Sequence, residues 1–223
     1  MGSGKSTGAA KRSHAVDKLL AEIRACRICE AHLPLGPRPV LQASATSRLL
    51  IVSQAPGRKV HETGIPFNDV SGDRLREWLG IDKATFYDAS RIAIVPMGFC
   101  FPGQDAKGGD LPPQRRCAPL WHPKLRPLLP WITLTLLVGS YAQAYYLGTR
   151  RQPTLDATVR AWQSFLPDFL PLPHPSWRNT GWLKKHPWFE TELLPVLRRR
   201  VAELTTLSSP CSSRGSRVST KNG

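Results

Sequence analysis

Five apolar positions, Val16, Leu19, Leu20, Ile23 and Ala25, recur at helical spacing and predict a short amphipathic helix that runs into Cys26. The pattern then changes. Residues 48–54 read Arg-Leu-Leu-Ile-Val-Ser-Gln, a compact apolar run closed by Ala-Pro-Gly, the mark of a buried strand entering a loop. Residues 91–96 form a second such run and lead into a Gly/Pro-rich loop over residues 97–114. A loop of that length inside a compact domain is usually functional. A third run covers residues 132–138, and a fourth, residues 169–172, opens onto Pro173-His174-Pro175-Ser176.

Helical spacing fills the intervals. Residues 71–79 place Leu75, Trp78 and Leu79 on one face, with Asp73 in the first turn, where the helix dipole favours it. A Pro-interrupted helical segment surrounds Trp121, and residues 141–147 predict another helix. The last helix starts at Pro187 and runs through Leu197 into Arg198-Arg199-Arg200, with Pro195 expected to kink it and the arginines to form its solvated end.

Strands alternating with helices define an α/β protein, here a three-layer α/β/α domain around a mainly parallel sheet. Ligands of such folds bind at the carboxyl ends of the strands. Those ends carry Gln54-Ala55-Pro56-Gly57, Pro96-Met97-Gly98 and His174-Pro175-Ser176. Residues 14–205 are read as one folded domain between a disordered basic tail, 1–13, and a disordered Ser-rich tail, 206–223.

Charge narrows the partner. Among 223 residues, 31 Lys and Arg against 16 Asp and Glu leave a net charge of +15, which favours a polyanion, either nucleic acid or an anionic membrane face. The tails hold only a minor part of this excess, so the folded part is itself basic. A hydrophobic content of 41% with seven Trp fits a globular chain rather than a disordered one. The most apolar run, residues 131–139, is too short for a membrane span, and no secretory signal is visible, so an intracellular protein is expected; it is read as a monomer.

Two N-terminal patterns carry no function in this reading. Gly2-Ser-Gly-Lys-Ser-Thr7 lacks the earlier glycine and the preceding strand of a phosphate-binding loop. Met1-Gly2 with Ser6 matches a minimal myristoylation pattern, but a basic tail accounts for it.

Cys26-x-x-Cys29, Cys100 and Cys117 form a 2+1+1 pattern, while Cys211 lies in the tail. A two-residue spacer lets both thiolates reach one centre, and four thiolates suit either tetrahedral Zn or a [4Fe–4S] cluster. Spacing alone leaves the two open.

Ser53-Gln-Ala-Pro-Gly57, Gly64-Ile-Pro-Phe67, the cysteine arrangement and His174-Pro-Ser176 together resemble the iron–sulfur branch of the uracil-DNA glycosylase superfamily. The resemblance implies a four-stranded parallel sheet, a [4Fe–4S] cluster on Cys26, Cys29, Cys100 and Cys117, and DNA as partner. It also implies hydrolysis of the N-glycosidic bond of uracil or another damaged base after base flipping, leaving an abasic site. In that scheme Phe67 stacks on the flipped base, with Ala55 and Pro96 beside it, and His174 donates to a base oxygen. Backbone groups around Gly57 and Ser176 hold phosphates, and Arg58, Arg178, Lys59, Lys184 and Lys185 suit backbone contacts.

The chain departs from the family pattern at several positions. Gln54 stands where the family carries Glu, Val60 and His61 replace an acidic pair, and Pro96 falls where a base-reading Asn is usual. The expected water-activating carboxylate is Asp69, then Glu62, with Gln54 positioning water; Asp69 equally suits a helix cap. His61, His122 and His186 are read as surface residues. These substitutions leave two further readings open: a non-catalytic lesion-binding relative, and a Zn-stabilised enzyme acting on free nucleotides or RNA.

Overall fold

The computed structural model describes residues 4–206, with side chains from residue 8; the expected Ser-rich tail beyond Thr206, with Cys211, lies outside the described residues. Helix α1 (Gly4–Arg24) is followed by strand β1 (Leu49–Val52), helices α2 (Arg58–Thr63), α3 (Val70–Leu79) and α4 (Lys83–Tyr87), and strand β2 (Ile92–Ile94). Then come α5 (Cys117–Leu125), β3 (Leu134–Val138), α6 (Ser140–Leu147), α7 (Leu155–Arg160), β4 (Phe169–Leu172), α8 (Thr180–Lys185) and α9 (Leu194–Thr206).

The strands pair in the order β2-β1-β3-β4, all parallel, as a four-stranded sheet. Every position of β1, β2 and β3 is buried, because helices cover both faces. Alternation sorts the side chains. Leu50, Val52, Ala93 and Leu137 pack with Val16, Leu20 and Ile23 of α1, Trp121 of α5 and Ala142 of α6. Leu49, Ile51, Ile92, Leu136 and Leu170 face the other way, onto Leu75 and Trp78 of α3 and Leu197 and Val201 of α9. The result is the expected three-layer α/β/α fold.

Three differences from the expected elements have physical causes. α1 begins at Gly4, not near Ala15, so residues 4–13 are helical rather than a disordered tail. Residues 8–14 touch little and stay exposed; Ala9, Ala10, Lys11 and Arg12 are good helix formers that prolong the turn nucleated by the packed segment from Val16 on. Arg198, Arg199 and Arg200 lie within α9 rather than at its end, since buried Val201 and Leu204 continue the apolar stripe of Leu197. Near Pro195 the chain forms a π turn over Phe189–Leu193. That wider turn makes room for a ring that would otherwise meet the carbonyl four residues back.

The outer edge of β2 is covered. Gln42 forms an antiparallel bridge with Ile94, its N–H donating to Ile94 O at 2.9 Å, and its side-chain amide donates to Ile92 O at 2.9 Å.

Candidate active site

The order in which strands are added to the sheet reverses between β1 and β3: β2 lies to one side of β1, and β3 and β4 to the other. A pocket opens at this end of the sheet, beyond the carboxyl ends of β1, β2 and β4. Past Val52 the β1 chain stays bonded to the chain after β2, with the Met97 and Gly98 N–H groups donating to Ser53 O (2.8 Å) and Gln54 O (2.9 Å). These bonds carry Ala55 and Pro96 to the same pocket, where Phe67, Asp69, Asp110, His174 and Ser176 join them.

Phe67 adopts φ 54°, in the left-handed region that a bulky residue rarely enters. Its carbonyl accepts from Arg76 Nη1 and from the Tyr87 hydroxyl, each at 3.3 Å, and its ring meets Phe86 edge-on at 6.0 Å. Gly72 makes this possible, because a Cβ there would lie 1.7 Å from Phe67 O. The surroundings therefore force Phe67 into its place on the pocket wall.

His174 follows β4, and its carbonyl accepts from Asn179 Nδ2 at 2.7 Å. Gly139, at φ 88°, backs the ring; a Cβ there would touch His174 Cβ and Cδ2 at 3.6 and 3.8 Å. Burial pushes the His174 pKa down, partly opposed by the Asp69 carboxylate, so the imidazole is neutral at pH 7 and retains one N–H donor. Asp69 also caps α3, its Oδ1 accepting from Gly72 N–H at 2.8 Å. The cap reading and the pocket placement hold together.

Not every expected residue reaches the pocket. Glu62 is exposed on α2, its side chain 61% accessible, pairs loosely with Arg58 at 3.8 Å and does not line the pocket. Gln54 sits near the rim but its amide donates to Leu111 O at 3.3 Å, bracing the long loop. Gly57 opens α2 and lines the pocket, whereas Arg58 borders the neighbouring groove. Ser176 accepts from Arg178 N–H at 3.3 Å, and the Arg178 guanidinium lies against Gly109.

Two residues, Asp110 on the pocket lining and Trp177 next to pocket-lining Ser176, carry no mark in the sequence reading. Asp110 comes from the long loop, where it carried no motif; only the loop's length pointed to it. Trp177, 70% exposed, follows the Pro-His-Pro-Ser turn, with the Arg178 guanidinium 5.6 Å from its ring centroid.

Of the three histidines expected at the surface, two are buried and the third is half-buried. His122 is 3% exposed. Pro96 O can only accept, so His122 Nε2 carries the hydrogen and donates to it at 3.0 Å, and Nδ1 accepts from the Tyr146 hydroxyl at 2.8 Å. Burial lowers its pKa to about 4. Its place at helical spacing from Ala118 and Leu125 was the available signal. His61 is buried, with Nδ1 unpaired beside Phe101, and half-buried His186 bonds Trp182 O and Asp156.

Away from the pocket, Cys26, Cys29, Cys100 and Cys117 border one cavity with Leu33, Pro37, Phe99 and Trp121. Burial pushes the Cys100 thiol up to about 11 and the Cys117 thiol up to about 12. Cys117 Sγ accepts from Phe99 N–H at 3.4 Å. Among the described residues no three potential ligands converge as they would on a single ion.

A parallel sheet with a pocket at the carboxyl ends of its strands is the frame in which α/β folds of this kind bind their ligands. The family model of the uracil DNA glycosylase superfamily matches residues 41–198, and the chain belongs to that superfamily. Among the described residues, no helix is long and apolar enough to cross a membrane.

Proposed function

We propose that the protein is a DNA glycosylase that flips uracil or another damaged base into the pocket and hydrolyses its N-glycosidic bond, leaving an abasic site. The observation that carries this reading is the pairing, in one pocket, of a locked aromatic wall, Phe67, with a neutral imidazole, His174. Stacking on an aromatic ring contributes about 1–3 kcal/mol per base and offsets a flipping cost of a few kcal/mol. As the C1′–N bond breaks, its electron pair moves onto the base, and the His174 N–H stabilises the charge that gathers on a base oxygen. A water oxygen bonds to C1′ and gives its proton to a carboxylate at the pocket. Trp177 offers a further stacking face, and Arg178 beside it a phosphate contact.

The four thiols fit a [4Fe–4S] cluster. All four border one largely apolar cavity, and four cysteine thiolates are the ligand set such a cluster takes. Such a cluster supplies a cross-link between the end of α1, the long loop and the start of α5. It would also favour the thiolate forms that burial alone resists.

Excision assays on duplex and single-stranded DNA carrying uracil, hypoxanthine, xanthine or an oxidised base test the proposal. Release of one of these bases by the wild type, cut about 10²–10³-fold in His174→Asn with DNA affinity kept, is expected. No release from any substrate, with tight binding to flipped or abasic sites, would instead establish a lesion-binding protein. That second reading rests on Pro96, which brings no side-chain hydrogen bond to the pocket, and on Gln54, whose amide is spent on Leu111 O.

A further inference from the structure

Asp110 is the second carboxylate of the pocket and, unlike Asp69, is not among the residues that the sequence marks for the site. It lines the pocket with Asp69 and His174. A Cβ built on Gly57 would stand 3.4 Å from Asp110 Oδ2 and 4.0 Å from Asp69 Oδ2, so both carboxylates face the same glycine. Their commitments differ. Asp69 Oδ1 caps α3, whereas Asp110 Oδ1 accepts from the Gln104 side-chain amide at 3.2 Å, and Oδ2 is left toward Gly57.

Resting on the glycosylase reading, we infer that Asp110 is the carboxylate that takes the proton of the attacking water. Its position suits the task. Asp110 is exposed at the rim, while Phe67 is 8% exposed on the pocket wall. A base stacked on Phe67 leaves its sugar, and hence C1′, near the mouth. There the C1′–N bond breaks with its electron pair going to the base, the water oxygen bonds to C1′, and the released proton passes to Asp110 Oδ2. Atoms and charge balance with no further reactant.

The arrangement also gives Gln54 a role. Its amide donates to the carbonyl of Leu111, the residue after Asp110, so Gln54 acts as a positioning residue that fixes the carboxylate. The charged groups facing Asp110 are Asp69, Asp105 and Arg178. Crowding by the loop and the two carboxylates push its pKa up, Arg178 and the Gln104 amide pull it down, and the net is upward. A raised pKa makes a better proton acceptor.

Single-turnover excision by the full chain, comparing wild type, Asp110→Asn, Asp110→Ala and Asp69→Asn, tests this. Asp110→Asn should lose about 10²–10⁴-fold in rate. Its affinity for abasic-site DNA and its melting temperature should stay near wild type, since an exposed rim residue is replaced by an isostere. The acid limb of the wild-type pH–rate profile should vanish, and added formate should partly restore Asp110→Ala. Three results would overturn the inference: Asp110→Asn within about tenfold of wild type, an acid limb that survives in Asp110→Asn but not in Asp69→Asn, or no formate rescue. A wild type that excises no base fails the glycosylase reading itself and takes this inference with it; excision that is indifferent to Asp110 fails this inference alone.

Discussion

His122 Nε2 donates to the carbonyl of Pro96 across 3.0 Å, tying the buried face of α5 to a residue on the pocket wall. The histidine must be neutral to do so while accepting from Tyr146. Unfolded, it protonates near 6.5; folded, it resists until about 4. Between those values the unfolded chain binds more protons, so stability falls as pH drops through this window, by an amount on the order of 3 kcal/mol. Denaturant melts at pH 7 and pH 4.5 should show this loss, and His122→Gln should flatten it while costing about 1–3 kcal/mol at pH 7.

Gly72→Ala tests the locking of Phe67. The new methyl group collides with Phe67 O, so either α3 or the Phe67 backbone must move. A loss of about 3 kcal/mol in stability is expected. Base binding should fall with it, read as a rise in the dissociation constant for DNA carrying the excised base.

Arg178→Ala should weaken binding to all DNA sequences alike. The slope of log affinity against log salt should become shallower by about 0.7–0.9, as the loss of one phosphate contact requires. An unchanged slope would remove Arg178 from the backbone contacts.

Trp177→Ala removes an exposed ring beside the pocket. Stability should change by less than about 0.5 kcal/mol, while affinity for lesion-containing DNA drops by about 1–3 kcal/mol. The contrast between the two readouts separates a binding role from a packing one.

Cys117→Ser should abolish bound iron and sulfide, assayed chemically against about four of each in the wild type. Zinc in their place, in a colourless wild-type protein, would revise the assignment of the four thiols.

Much of the fold was legible because buried parallel strands write continuous apolar runs. Leu49–Val52 and Leu134–Val138 stand inside the predicted runs, and Phe169–Leu172 matches its own. The pocket's His174 and Phe67 were legible because each sits in a short motif at a strand end or turn. Asp110 was not, since a loop of this kind has no period and its position depends on long-range contacts such as Gln54 with Leu111 O. Glu62 misled for the converse reason: its sequence neighbours reach the pocket, but the helical turn points it outward. His122 is illegible for a similar reason: its partners, Pro96 O and the Tyr146 hydroxyl, lie 26 and 24 residues away, so nothing near it in the chain names them.

The bridge between Gln42 and Ile94 bears on how the chain behaves among its own copies. A parallel sheet is slow to assemble, and a bare outer strand is a template on which a second chain can add. Here the N–H and C=O of Ile94 are already taken by Gln42, and the Gln42 amide occupies the carbonyl of Ile92. On that side the folded sheet offers no backbone to a neighbour, which protects a basic, Trp-rich protein from fibrillar growth at the flank nearest its pocket.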